Sequence, residues 1–174
     1  LSNSMADGFL VTSVGQFDSV KSTGKKVVVD YNMNVFNNEA VEYFKHRGAD
    51  RVTMSVEMNV KELNSAADDD CEMVGYLPLM TTVQCPIGNY AGGKKNGIYC
   101  SERYSKAAYV LKDRKDVAFP LLPDCSQCVC QILNSKPLFT LKFFDEILET
   151  PTGYVRLDFT RETPKEISDI IKAY

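Results

Sequence analysis

Short apolar runs alternate with helix-like stretches through the first third of the chain. The runs have strand length and are rich in β-branched residues, and they stand at 9–14, 27–29 and 52–55. The stretches that follow predict helices over 16–21, 38–46 and 59–64. Asn37 or Asn38 is suited to cap the second helix, with Val41, Tyr43 and Phe44 as its buried positions. Strands alternating with helices at this spacing predict βα units and a parallel sheet.

The pattern changes from residue 71 and returns near the C-terminus. Prolines and glycines punctuate the middle, so 86–98 is predicted as a loop, and apolar runs at 107–113 and 117–122 predict a β-hairpin. The βα pattern then resumes with a helix over 140–148 and a strand over 154–159. The last helix has a capping box at 163–166, and Ile167, Ile170, Ile171 and Tyr174 recur at helical spacing.

These elements predict an α/β fold that is smaller than a complete barrel. A full (β/α)8 barrel takes about 250 residues, whereas this chain has 174 residues and an interrupted pattern. We therefore expect an incomplete TIM-barrel-like parallel sheet with an inserted cysteine-rich β-hairpin lobe. The predicted boundaries are 1–80 for the first βα units, 81–135 for the lobe and 136–174 for the returning βα unit. The open edges of such a sheet need covering, and we expect a homodimer.

Composition and charge narrow the class of protein. The chain is 44% hydrophobic and 25% charged, as in ordinary globular domains. It has no apolar run approaching the roughly 18 residues that span a bilayer, and residues 1–20 lack the basic start and long apolar core that are typical of a signal peptide. We therefore expect a cytoplasmic protein that does not associate with a membrane.

The predicted lobe is basic on an otherwise acidic chain. Residues 90–116 hold seven basic and three acidic side chains, a net of +4, which leaves −7 for the rest of a chain whose net charge is −3. Lys94, Lys95 and Arg103 are the candidate nucleic-acid contacts, because phosphate contacts dominate affinity for RNA. A solvated loop and a surface that docks another part of the protein are the alternatives.

Cysteines concentrate in one part of the chain. Cys85, Cys100, Cys125, Cys128 and Cys130 fall within 46 residues, and Cys71 alone lies outside. Disulfides are rare in the cytoplasm, so free core thiols, a structural zinc site and an iron–sulfur site compete as interpretations. Spacing alone does not separate zinc from iron.

Polar residues at the predicted strand ends are the candidate catalytic groups. They are Asp30, Asn32, Glu57, Arg156 and Asp158. Barrels place their chemistry at the carboxyl ends of strands, so these side chains could line a pocket for a small acid or a nucleotide. The alternative is that they cap loops and satisfy backbone groups. A hydrolytic triad is disfavoured, because His46 is the only histidine and no His-Glu-x-x-His motif is present.

Several short motifs resemble one known family in their order and spacing. They are VVVDYNMNVFN at 27–37, SVEMN at 55–59, LPLM at 77–80, CPIG at 85–88, LKDRK at 111–115, Phe119-Pro120, Cys128 and ILNSKPL at 132–138. Together they resemble the collagenase-like peptidase family U32, from about residue 7 to the C-terminus. The resemblance is to the later part of longer members, so we expect a C-terminal fragment whose partner is the missing N-terminal half.

The resemblance implies a cofactor and two competing activities. The family name implies peptidase activity on collagen-like substrates. Other relatives carry a four-cysteine iron–sulfur cluster and support oxygen-independent hydroxylation, of RNA bases or in ubiquinone synthesis. The resemblance implies cluster ligands at Cys85, Cys100 and Cys128, with Cys125 as the fourth and Cys130 as its alternative. We expect hydroxylation of RNA rather than proteolysis, and we expect the fragment to lose the cluster or exchange it for zinc. A zinc-bound structural or partner-docking half-domain is the third alternative.

Overall fold

The structure is a computed structural model that describes residues 3–66, 71–91 and 109–174. The elements, in chain order, are β1 (Gly8–Val11), α1 (Val14–Lys21), β2 (Lys26–Val29), a 3-10 turn (Tyr31–Met33), α2 (Asn38–His46), β3 (Arg51–Val52), α3 (Val60–Ser65), β4 (Cys71–Gly75), β5 (Pro78–Thr82), α4 (Pro86–Ala91), β6 (Tyr109–Lys112), β7 (Ala118–Asp124), β8 (Val129–Leu133), β9 (Leu138–Phe139), a second 3-10 turn (Leu141–Phe143), α5 (Phe144–Leu148), β10 (Val155–Leu157) and α6 (Pro164–Ala173). The chain divides into two compact units, 1–74 with 139–174, and 75–138.

A three-stranded parallel sheet forms the base of the first unit. Strands β1 and β2 pair in parallel, with Leu10 opposite Val28, and β2 pairs in parallel with β3. Alternation along β2 buries Val27 and Val29 completely, while Val28 lies on the opposite face and is partly exposed. The buried face packs with Phe17 of α1 and with residues of α2, in the core that also contains Val11 and Val52. The β-branched runs of the sequence therefore form the strands of this parallel sheet.

A second sheet in this unit has the strand order β10-β4-β9. Strands β4 and β10 run parallel, with Val155 opposite Cys71. Ile170 of α6 and Tyr174, directly after that helix, pack against the core, and Ile147 of α5 is buried there. The ring of Tyr174 meets the rings of Phe139 and Phe144 edge-on, at centroid distances of 5.8 and 5.1 Å. Aromatic contacts of this kind add specificity to apolar burial.

The second unit is built on an antiparallel sheet with the order β5-β8-β7-β6. Its small core contains Ile87, Leu121 and Cys130, with Cys85, Tyr109 and Ile132 packed against them. Asp113 shapes the turn between β6 and β7, because its Oδ1 accepts hydrogen bonds from the backbone amides of Lys115 and Val117. Cys130 and Cys85 therefore belong to a small core that this sheet forms for itself.

The α/β class and the parallel sheet predicted from the pattern are confirmed. In the described residues the strands do not close into a barrel, since they form the separate sheets given above. The hairpin strands lie at 109–112 and 118–124, within the runs predicted for them except for two added residues. None of the described helices is long and apolar enough to cross a membrane.

Three local predictions were wrong. Tyr43 is 49% exposed rather than buried, because it lies at the flank of α2, where its ring and hydroxyl contact Arg47. Part of the predicted loop at 86–98 is helical, as α4, and residues 92–98 lie outside the described part. The helix predicted over 140–148 divides into a 3-10 turn and α5, with Leu148 exposed.

Candidate functional site

A buried carboxylate stands at the carboxyl end of β2. Asp30 is only 3% exposed, and its backbone amide donates to the carbonyl of Val11 at 2.9 Å, which ties it to the end of β1. Its two carboxylate oxygens have separate partners. Oδ2 accepts from Asn32 Nδ2 at 2.6 Å, and Oδ1 accepts from Arg156 Nη2 at 2.8 Å. A buried charge of this kind is stable only when it is paired and hydrogen-bonded.

Arg156 of β10 contacts other residues besides Asp30 as well. Its Nη1 donates weakly to Thr53 Oγ1 at 3.5 Å, and its guanidinium lies 5.6 Å from the centre of the Tyr31 ring. Thr53 is fully buried directly after β3. The residues that follow β2 and β3 thus meet the middle residue of β10 at one polar cluster, in which Asp30 holds the orientation of Arg156. This cluster comprises Asp30, Asn32, Thr53 and Arg156.

The structure joins three of the five candidate catalytic residues. Asp30, Asn32 and Arg156 are in the polar cluster, as described above. Glu57 is exposed and Asp158 is partly buried, and neither side chain has a hydrogen bond or ion pair to another described residue. Thr53 was missed by the sequence reasoning. Its place directly after Val52, the buried residue of β3, was the available signal, since that is where strand-end polar groups are found.

Two thiols meet in the core of the second unit, and a third, that of Cys125, lies near enough to influence one of them. Cys130 is fully buried and Cys85 packs against it. Burial, together with the neighbouring thiols of Cys85 and Cys125, raises the pKa of Cys130 to about 11. Burial disfavours the thiolate because it removes the charge from water, and nearby sulfur charges disfavour it further. These three residues, Cys85, Cys125 and Cys130, are called the thiol cluster below.

The chain around each cysteine explains how the thiol cluster forms. Cys85 precedes α4, and the amide of Gly88 in the first turn of that helix donates to its sulfur at 3.5 Å. Cys125 and Cys130 flank the turn between β7 and β8. Asp124 Oδ1 accepts from the amides of Ser126 and Gln127, at 2.9 and 3.2 Å, and from the Ser126 hydroxyl. These hydrogen bonds lower the pKa of Asp124, the Ser126 hydroxyl having the largest effect.

Cys128 differs from Cys85, Cys125 and Cys130. It is exposed and adopts a left-handed backbone conformation, with φ of 57°, at the end of the same turn. Cys100 lies outside the described residues, as do Lys94, Lys95 and Arg103. Of the ligands implied by the family resemblance, Cys85 and Cys125 lie in the thiol cluster, and Cys130, the alternative fourth ligand, lies there with them.

The donor set of the thiol cluster suits a soft metal or an iron–sulfur cluster, because its members are all cysteine sulfurs. Within residues 3–66, 71–91 and 109–174, no group of three or more His, Cys, Asp or Glu side chains is placed to hold a metal ion by itself. A complete four-sulfur site would therefore need a further ligand or a rearrangement of these thiols.

His46 has no catalytic setting in the structure. Its side chain is 82% exposed at the end of α2, where Nε2 lies 3.4 Å from Glu42 Oε2, one helical turn away. An exposed histidine at a helix C-terminus is typical of a surface residue that interacts with the helix dipole. The described site therefore offers no histidine as the base for a hydrolytic nucleophile.

Comparison with known proteins identified a family over the full length of the chain. The family model described as Peptidase family U32 matches residues 1–174. No curated protein and no solved structure matched the chain.

Proposed function

The chain belongs to peptidase family U32, and we propose that it is part of an iron–sulfur enzyme that hydroxylates RNA. The observation that carries the proposal is that Cys85 packs against the buried Cys130 in one small core, with the Cys125 thiol near enough to help raise the pKa of Cys130. Iron–sulfur clusters are usually ligated by cysteine thiolates. An enzyme also needs a place at which its substrate is oriented. The polar cluster is the proposed place.

The proposed ligands are Cys85, Cys100 and Cys128 with Cys125, and Cys130 as the alternative to Cys125. The thiol cluster supports Cys85 and either Cys125 or Cys130. When bound, an iron–sulfur cluster supplies one-electron chemistry that the side chains of this protein lack. The protein's own contribution is to hold the sulfurs in a core that restricts water, which tunes the properties of such clusters.

The proposed reaction is an oxygen-atom transfer to a C–H bond. The C–H bond of the base is broken and a C–OH bond is formed, while an oxygen-atom donor loses its oxygen and is reduced by two electrons. The substrate is oxidised by the same two electrons, so atoms and charge balance. Arg156, held by Asp30, would orient an anionic group of the donor or of the RNA beside the reacting base.

Within the polar cluster, orientation is the role that the geometry favours. Both oxygens of Asp30 already accept hydrogen bonds, so its contribution is to fix Arg156 rather than to contact the substrate. Base-modifying enzymes take their target base out of its stack and read it in a pocket. Lys94, Lys95 and Arg103 are the proposed contacts to the RNA backbone.

Peptidase activity remains the alternative, and the family's name supports it. The exposed position of His46 disfavours it, because serine and cysteine nucleophiles need a base within hydrogen-bonding reach. A zinc-bound structural or partner-docking domain is a further alternative, supported by the same sulfur donors. Metal analysis separates iron from zinc.

The open parallel sheet supports a proposal about partners. In the described part of the chain, β1 has β2 as its single strand neighbour. We propose that further strands cover this edge and extend the sheet as part of a barrel, supplied by an N-terminal half of the protein or by a second copy of the chain. Light scattering over a range of concentrations tests the second copy, and a monomer at every concentration would exclude it.

The experiment that tests the function is nucleoside mass spectrometry of RNA from cells with and without the gene. We expect a nucleoside about 16 Da heavier than its parent, as one added oxygen atom requires, to be absent from the deletion strain. Wild type and a Cys71→Ser control should restore it, whereas Cys85→Ser should not. Loss of gelatin hydrolysis in the deletion strain, with no change in any nucleoside, would instead establish the peptidase alternative.

A further inference from the structure

Cys130 is the member of the thiol cluster that the proposed ligand set does not require. It is the alternative to Cys125 as the fourth ligand, and four sulfurs are enough for a four-iron cluster. Of Cys85, Cys125, Cys128 and Cys130, it is nevertheless the one that is fully buried. A buried thiol beside a second thiol has chemistry of its own, because the two can be oxidised to a disulfide.

Cys85 is the partner that the fold presents to Cys130. Cys130 lies in β8 opposite Thr82, the last residue of β5, and Cys85 follows three residues later. The chain turns at this point, since Thr82 Oγ1 accepts from the Gln84 amide at 3.1 Å. Cys85 then packs against Cys130 in the small core of the second unit. The Gly88 amide, which donates to the Cys85 sulfur at 3.5 Å, holds that side chain just before α4.

Exposure differs between the two thiols, and the difference sets the order in which they react. Cys85 is partly exposed, so a small disulfide such as oxidised glutathione can reach it, whereas Cys130 is closed to solvent. The thiolate of Cys85 would attack glutathione disulfide, which gives a mixed disulfide and releases one glutathione. Cys130 would then attack the Cys85 sulfur and release the second glutathione. The two protein thiols lose two electrons and two protons, which the two glutathione molecules take up.

We infer that Cys85 and Cys130 form a reversible disulfide when no metal is bound, and that this disulfide is a switch that stops metal loading. The second part of the inference rests on the proposed function, because Cys85 is one of the proposed ligands. Metals bind cysteine as the thiolate, and a sulfur in a disulfide is not a thiolate. The chain would therefore take up its metal only under reducing conditions.

Disulfide mapping on the full chain tests the pairing. The metal-free, reduced chain is incubated without oxygen with oxidised glutathione, the remaining thiols are blocked with an alkylating agent, and unreduced peptides are sequenced by mass spectrometry. We expect one main cross-link, between Cys85 and Cys130, that a reductant removes. Any other main cross-link, such as one between Cys125 and Cys128 in the C-x-x-C turn, or no cross-link at all, would overturn the inference.

Zinc binding tests the switch, with Zn²⁺ alone as the probe because its binding needs no reductant. We expect the oxidised chain to bind Zn²⁺ at least about tenfold more weakly than the reduced chain, and reduction to restore the affinity. Zn²⁺ that is bound beforehand should in turn protect both thiols from cross-linking. Equal affinity of the two forms would show that the disulfide is no switch.

Variants test the order of the reaction. In Cys130→Ser we expect it to stop at a mixed disulfide of glutathione on Cys85, because the second thiol is missing. Cys125→Ser is the matched control from the same thiol cluster, and it should still form the cross-link between Cys85 and Cys130. A protein disulfide at Cys85 that persists in Cys130→Ser would contradict the pairing. The wild-type map decides the question if Cys130→Ser fails to fold.

Failure of this inference differs from failure of the proposed function. If the reduced chain binds metal and the cross-link does not form, the inference is wrong and the proposed function keeps its own test. If the cross-link forms and the reduced chain binds neither Zn²⁺ nor iron, the pairing is correct, and the proposed metal site and the switch are both wrong.

Discussion

At the scale of single residues, the most informative contact is the ion pair between Asp30 and Arg156. The two are 126 positions apart in the chain, and they meet because Arg156, the middle residue of β10, reaches the carboxyl end of β2. The sequence indicated both as strand-end polar residues. It did not indicate that they would pair, because nothing local to either residue encodes a partner so distant.

Removing the carboxylate charge should destabilise the first unit. Asp30→Asn removes the ion pair between Arg156 and this buried carboxylate, and we expect a loss of about 2 to 4 kcal/mol in the free energy of unfolding. Urea denaturation at pH 7 measures it. Asp158→Asn is the control, since that side chain has no ion pair among the described residues, and it should stay within about 0.5 kcal/mol of wild type. Equal stability of the two variants would show that the pair contributes nothing.

The cysteines show what sequence can and cannot assign at this scale. Their concentration between 85 and 130 predicted a sulfur-rich site, and the structure brings Cys85 and Cys130 into one core with Cys125 near Cys130. Choosing between Cys125 and Cys130 was beyond the sequence, because alternation along β8 and the turn before it decide which sulfur faces inward.

At the scale of helices and strands, the sequence predicted an element best where a side chain caps it by hydrogen-bonding to its backbone amides. Asn37 caps α2 by accepting from the Ala40 amide at 2.9 Å, as its position indicated. The helix at 86–91 was missed because Pro86 and Gly88 are typical of loops. Proline is nevertheless suited to the first turn of a helix, where its missing N–H is not needed.

The capping box of α6 gives a prediction at this scale. Thr163 Oγ1 accepts from the Glu166 amide, and Glu166 Oε2 accepts from the Thr163 amide at 2.7 Å. Thr163→Ala should therefore cost about 1 kcal/mol at pH 7. Thr160→Ala, just before the helix, is the control and should be close to neutral. Chemical denaturation of both variants beside wild type provides the measurement.

The cost should also depend on pH with a defined sign. The hydrogen bond from the Thr163 amide, followed by that from its hydroxyl, lowers the pKa of Glu166 below its ordinary value of 4.5. A lowered pKa stabilises the fold above the ordinary pKa, and this contribution is lost as the pH falls through the lowered value. The difference between wild type and Thr163→Ala should shrink in acid. A difference that is unchanged at pH 3 would contradict the role of the ionised carboxylate.

At the scale of the whole molecule, the alternation of strands and helices was enough to predict the α/β class and the parallel sheet. It was not enough to predict how the middle of the chain pairs. The order β5-β8-β7-β6 brings Thr82 opposite Cys130, and such pairing between distant strands depends on packing rather than on local pattern. The model of Peptidase family U32 matches residues 1–174, which is the whole chain.

The central claim is that this chain holds an iron–sulfur cluster through its cysteine-rich segment, and iron and sulfide analysis tests it most directly. The protein is purified without oxygen, and a second sample is reconstituted with iron and sulfide. We predict about four iron and four sulfide ions per chain, as a four-iron cluster requires, with broad visible absorption that Cys85→Ser abolishes and Cys71→Ser retains. Stoichiometric zinc, or no iron above background even after reconstitution, would contradict the claim.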